Sequence, residues 1–114
     1  MVFVETSVFT RQIRDLISDD HLGVLQEWIA TSPASGDLIK GSGGCRKLRW
    51  RTVSAGKRGG LRVIYYWMKE FDQVLLLLAY AKSRTDDLSQ AQIKMLGELV
   101  KLEIRWIEDG RKTV

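Results

Sequence analysis

Two stretches of alternating residues decide the fold of this chain: CRKLRWRTV at positions 45–53 and LRVIYYWM at positions 61–68. Successive side chains of a β-strand point to opposite faces of a sheet. One face of the first stretch therefore carries three cations: Lys47, Arg49 and Arg51. The other face is mainly apolar, with Leu48 and Trp50 between Arg46 and Thr52. This pattern is typical of a half-buried antiparallel strand.

Positive charge is concentrated in the same part of the chain. Between Asp37 and Glu70 lie nine of the eighteen Lys and Arg residues and none of the fourteen Asp and Glu residues. Such segregation predicts an electropositive surface, for which phosphate is the commonest polyanionic partner. Cations two residues apart on a strand are separated by roughly 6.5–7 Å, close to the spacing of phosphates along one nucleic-acid strand. The alternative is a solvated cationic face without a ligand.

The other elements predict an α+β fold in a single domain over residues 1–114, in the order β-α-α-β-β-β-α with a small, mainly antiparallel sheet. A short strand at 2–4 precedes two helices, which Thr6 or Ser7 and then Ser18 can cap. The second helix ends before Pro33. The glycine-rich joint at 54–60 predicts a hairpin with a mobile basic tip, and the apolar run at 73–81 predicts a central strand.

The last helix is the most clearly marked element. Ser89 and Gln92 form a capping box at its start. One apolar stripe consists of Ile93, Leu96, Val100, Ile104 and Ile107, and a second consists of Met95, Leu99, Leu102 and Trp106. This arc is wider than one sheet contact needs, so we expect part of it either to enter the domain core or to meet another protein.

Several classes of protein are disfavoured. The single cysteine, Cys45, excludes an internal disulfide and fits a reducing cytoplasm, where we expect the protein to act. The longest apolar run, at 74–81, is too short to span a membrane. The glycines at 41–44 lack the lysine and hydroxyl residue that end a P-loop, and the His, Cys and acidic residues show no metal-ligand spacing. We therefore expect no cofactor.

The sequence resembles the RelE/HigB group of bacterial toxins, the toxin halves of type II toxin–antitoxin modules in the RelE/ParE superfamily. The resemblance covers nearly the whole chain and rests on the cationic strand at 45–51, the strand at 59–66, and the exit at 79–82 toward Asp87 and Leu88. It implies a ribosome-dependent mRNA endoribonuclease that inhibits translation through attack of a ribose 2′-hydroxyl on the adjacent phosphate. It also implies a cognate antitoxin, the ribosome and mRNA as partners.

Candidate site residues follow from this chemistry. The catalytic candidates are Lys47, Arg49, Arg62 and Lys82, and the RNA-binding candidates are Arg46, Arg51, Lys57, Arg58, Arg84 and Tyr80. Arginine does not serve as a base because its pKa stays above about 12. Lysine can do so when neighbouring positive charges lower its pKa, which makes Lys47 the first candidate base and Lys82 the second.

The general acid is not assigned by the sequence. Members of the group often have a second lysine in place of Arg49, and some carry a tyrosine shortly after the position of Lys82, whereas residues 83–88 here contain none. Tyr80, Tyr66 and Lys82 all stay open for this role.

Two other functions and two antitoxin contacts also stay open. The ParE branch of the superfamily inhibits DNA gyrase without cleavage, and a plain nucleic-acid-binding module would use the same cations. An acidic antitoxin segment would be attracted to the basic face. The second stripe of the last helix, from Met95 to Trp106, offers a non-polar contact, and we expect such an anchor together with partial shielding of the cations.

Overall fold

The computed structural model describes residues 1–51, 60–82 and 87–112, with side chains up to 110. Its elements in chain order are β1 (Val2–Glu5), α1 (Ser7–Arg14), α2 (Asp19–Thr31), β2 (Asp37–Leu38), β3 (Arg46–Trp50), β4 (Leu61–Met68), β5 (Gln73–Ala81) and α3 (Gln90–Lys112), with a 3₁₀ turn at Lys69–Phe71 before β5. The predicted α+β class is confirmed. The predicted hairpin tip, which contains Lys57 and Arg58, lies outside the described residues, as does Arg84.

The five strands form one mixed sheet in the order β1-β5-β4-β3-β2. β1 pairs with β5 in parallel, and the other neighbours are antiparallel. The predicted element order was wrong in one respect, because it omitted β2. This strand consists of Asp37 and Leu38, which pair with Lys47 and Arg46 at the sheet edge. Two residues are too few to show an alternating pattern, so the sequence reads as a loop at this point.

Helices α1 and α2 cover one face of the sheet. Phe9, Ile13, Leu25 and Ile29 of these helices are buried against apolar side chains of β3, β4 and β5. The predicted caps are present: the backbone N–H of Phe9 donates to Thr6 Oγ1 at 3.0 Å, and Ser18 accepts from the N–H of His21. α1 ends at Arg14, and Leu16 and Ile17, which follow it, also pack on this core.

Helix α3 covers the other face. Leu96 and Val100 are buried there with Ile64, Leu75 and Leu77 of the sheet. The capping box is confirmed, since the N–H of Gln92 donates to Ser89 Oγ at 3.1 Å and the N–H of Ser89 donates to Gln92 Oε1 at 2.8 Å. Gly97 lets the helix approach the loop before β3, because a Cβ at that position would lie 3.0 Å from the carbonyl oxygen of Ser42. This face also carries the candidate site.

Candidate functional site

A row of three polar residues crosses the sheet at one register on the α3 side. Arg49 of β3 pairs with Arg62 of β4, and Arg62 pairs in turn with Tyr80 of β5. Side chains at directly opposed positions of antiparallel strands have Cβ atoms about 4.5–5.5 Å apart. The register therefore places two arginines and a tyrosine at neighbouring positions of three adjacent strands. We call these three residues the cationic row.

Because successive residues of β3 and β4 lie on opposite faces of the sheet, the cationic row lies on the face that α3 covers. Leu48, Leu61 and Val63 are buried under α1 and α2, so their neighbours Arg49 and Arg62 lie on the opposite face. A β-bulge shifts the pairing of β4 with β5 between Ile64 and Tyr65, and this shift brings Tyr80 into line with Arg62. Like charges directly opposed across two strands are destabilising. The presence of Arg49 and Arg62 at opposed positions is consistent with a site for an anion.

Tyr80 has an environment unlike that of the other tyrosines. Its hydroxyl is buried and has no hydrogen-bond partner within the part of the chain that the structure describes. Burial raises the pKa of Tyr80, and the negative charge of Asp87 raises it further, whereas the positive charge of Arg62 lowers it. The phenol is therefore held in its protonated form, with an O–H that no group among the described residues accepts.

Lys47 lies two residues along β3 from Arg49, on the same face. Its Nζ donates to Asp87 Oδ1 at 3.1 Å, and the side chains are 19% and 80% exposed, respectively. The contact joins positions forty residues apart. The sequence showed Asp87 only as an acid before a helix, where a carboxylate favours the helix dipole. The structure adds this carboxylate to the surroundings of Lys47 and Tyr80.

The other predicted residues lie around the row or away from it. Arg51 is exposed just after β3, and Lys82 is exposed just after β5. The backbone N–H of Lys82 donates to the carbonyl of Gly60 at 3.1 Å, which ties the end of β5 to the start of β4. These two cations extend the positive surface beyond the row.

Arg46 has a different position. It lies on the α1 and α2 side, as the alternation predicts, and its Nη1 donates to the carbonyls of Ala34 and Gly36 at 3.0 and 2.8 Å. Tyr65 holds the same loop, since its hydroxyl donates to the carbonyl of Pro33 at 2.7 Å and accepts from the N–H of Gly36 at 3.0 Å. These contacts give Arg46 a role in joining the 33–36 loop to the sheet.

Two searches of the described residues were negative. No helix among them is long and apolar enough to cross a membrane. No three His, Cys, Asp or Glu side chains of the described ranges lie close enough together to hold a metal ion.

The fold is similar to that of solved toxin structures, although no family model matches the sequence. Free RelE toxin of E. coli, carrying two arginine-to-alanine substitutions, superposes with a TM-score of 0.56 at 17% identity, over 75% of this chain and 86% of RelE. The chain has a RelE-like fold. A chain of the intact E. coli RelBE toxin–antitoxin complex superposes with a TM-score of 0.54 at 18% identity, over 70% of this chain and 94% of the other.

Proposed function

We propose that this protein is the toxin of a toxin–antitoxin module and that it cuts mRNA on the ribosome at the cationic row. The observation that carries the proposal is the alignment of Arg49, Arg62 and Tyr80 at one register of a RelE-like sheet. Two cations and a protonated phenol are the groups that phosphodiester cleavage requires at the phosphate and at the leaving oxygen.

In the proposed reaction, a ribose 2′-oxygen attacks the adjacent phosphorus and the bond from phosphorus to the 5′-oxygen breaks. The products are a 2′,3′-cyclic phosphate and a 5′-hydroxyl. Arg62 and Arg49 stabilise the negative charge that develops on the non-bridging oxygens, and Tyr80 donates its proton to the leaving 5′-oxygen. Arg51 and Lys82 bind flanking phosphates.

Lys47 is the base in this scheme. Its ammonium is paired with the Asp87 carboxylate, and it must lose a proton to solvent before it accepts the proton of the 2′-hydroxyl. General base catalysis then requires the 2′-hydroxyl of the bound RNA to lie within hydrogen-bond distance of Lys47 Nζ. Lys82, at the adjacent end of β5, is the second candidate.

Burial raises the pKa of Tyr80, which makes the phenol a weaker acid and limits the rate. The single histidine, His21, is on α2, the layer that covers the opposite face of the sheet. We therefore propose that the ribosome completes the site by positioning the mRNA. We also propose that the protein acts in the cytoplasm and has a cognate antitoxin, in line with its likeness to a chain of the RelBE complex.

The test is to incubate the purified chain with translating ribosomes and with naked RNA, and to map new RNA ends. We expect cleavage only with ribosomes. Arg62→Ala and Lys47→Ala should each reduce cleavage by on the order of 10²-fold or more. Arg14→Ala is the matched control, because Arg14 is an exposed cation on α1 and should leave cleavage unchanged.

Three outcomes would contradict parts of the proposal. Full cleavage by both site variants at equal soluble protein would reject the site. Efficient cutting of naked RNA at physiological salt would reject the ribosome requirement. Gyrase-dependent DNA damage without new RNA ends would replace the proposal with a ParE-like activity.

A further inference from the structure

Four large apolar side chains of α3 face solvent. Met95 is 69% exposed, Leu99 37%, Leu102 61% and Trp106 75%. They recur at steps of four, three and four residues. This spacing is that of the a and d positions of a heptad, the narrow stripe along which two helices pack as a coiled coil. We call these four residues the α3 seam.

The α3 seam points away from the domain. Leu96, Val100 and Ile104 define the stripe of α3 that packs on the sheet. At about 100° per residue, the seam lies about 130° around the helix from that stripe. A second helix can therefore pack on the seam while the sheet and the other helices stay clear of it.

We propose that the α3 seam is a self-association surface on which α3 of a second copy packs antiparallel about a twofold axis. An axis midway between Leu99 and Leu102 places Leu99 against Leu102 of the partner subunit and Met95 against Trp106 of the partner subunit. Each contact occurs twice, as an isologous interface requires. The polar Gln92 and Asp109 occupy the next heptad positions and limit the seam to four apolar layers.

Charges beside the seam favour this arrangement over the parallel one. The antiparallel axis places Glu98 next to Arg105 of the partner subunit, and the symmetric pair repeats the contact. A parallel pair would instead place Glu98 next to Glu103 of the partner subunit on both sides, which is repulsive. The charges beside the α3 seam are therefore complementary to those of a second, antiparallel copy of the same helix. For this reason we choose a second copy as the partner rather than the helix of another protein.

Sedimentation velocity of the full chain over a range of concentrations tests the proposal. Four apolar layers make a small interface, so we expect a reversible shift from the monomer mass of 13.0 kDa toward twice that value. Leu102→Asp should abolish the shift. Because Leu102 is exposed, the variant should keep the thermal unfolding of the parent, which is measured in parallel.

Charge-swap variants test the antiparallel order. Glu98→Arg and Arg105→Glu should each weaken the dimer about tenfold, and the double variant should restore it. Glu108→Arg and Lys101→Glu are matched controls, since they make the same charge changes on exposed positions of α3 away from the seam. A monomer at every concentration would overturn the proposal. Single swaps without effect, or a double variant as weak as the single ones, would overturn it as well.

Discussion

Replacing Tyr80 with phenylalanine should change stability and activity in opposite directions. The substitution removes one oxygen and keeps the ring. That oxygen is buried without a hydrogen-bond partner among the described residues. A buried hydroxyl in this state costs about 1–3 kcal/mol. We therefore expect Tyr80→Phe to raise the free energy of unfolding by about 1 kcal/mol, or about 4 °C in Tm for a domain of this size.

Tyr65 provides the control for the same chemical change. Its hydroxyl makes hydrogen bonds of 2.7 and 3.0 Å, to the carbonyl of Pro33 and from the N–H of Gly36. Tyr65→Phe leaves both groups without this partner, so we expect the free energy of unfolding to fall by about 1–3 kcal/mol. RNA cleavage by folded Tyr65→Phe protein should persist, whereas cleavage by Tyr80→Phe should fall because the proposed proton donor is missing.

Urea unfolding of the parent and both variants measures their free energies of unfolding. The m-value should be the same for all three proteins. Cleavage is measured with translating ribosomes on the same preparations. If Tyr80→Phe destabilises the protein as much as Tyr65→Phe does, the hydroxyl of Tyr80 is satisfied in the folded chain and the reasoning fails. If Tyr80→Phe is more stable but cleaves at the parent rate, Tyr80 is not the acid.

Three further substitutions test single features of the fold and the site. Gly60→Ala should lower the free energy of unfolding, measured in urea, by about 1–3 kcal/mol, because φ is +68° and a Cβ would lie 2.6 Å from the carbonyl oxygen of Trp50. The control Gly23→Ala, in an open position of α2, should leave the free energy of unfolding unchanged or raise it. Asp87→Asn removes the carboxylate beside Lys47 and should tighten RNA binding and steepen its salt dependence in fluorescence anisotropy, whereas Glu27→Gln on the opposite side should not. Burial raises the pKa of the Cys45 thiol, and its hydrogen bond with Ser42 lowers that pKa by a smaller amount. The thiol therefore ionises at lower pH in the unfolded chain than in the folded one, so the free energy of unfolding should fall as the pH rises above about 8.5. Cys45→Ala should flatten that slope, and an equal slope in the variant would reject the assignment.

The sequence correctly predicted the helices and strands whose apolar residues recur at a regular spacing or whose first residues form a helix cap. Alternation correctly placed Leu48 and Trp50 on the buried face of β3, and Ser89 with Gln92 correctly marked the start of α3. β2 was missed because two residues have no period. The parallel pairing of β1 with β5 joins segments about seventy residues apart, and nothing local in either segment encodes that contact.

The sequence alone predicts which residues belong to the candidate site but not how they are arranged in space. Alternation gave the common face of Lys47 and Arg49. The alignment of Arg62 with Tyr80 depends on the register of β4 and β5, which a bulge shifts within the pair. The ion pair of Lys47 with Asp87 depends on where the chain goes after β5. Both contacts join segments that are distant in the sequence, so the pattern of neighbouring residues in one sequence does not predict them.

The cationic row collects features that do not stabilise the fold. Arg49 and Arg62 oppose like charges, and Tyr80 buries a hydroxyl without a partner in the described part of the chain. By contrast, the hydroxyl of Tyr65 makes two hydrogen bonds. Local costs that gather in one place are characteristic of functional sites. A phosphate at the row would relieve the first of these costs, because its negative charge would offset the like charges of Arg49 and Arg62. The energetics of the sheet thus point to an anion at this position by an argument that does not use the likeness to RelE.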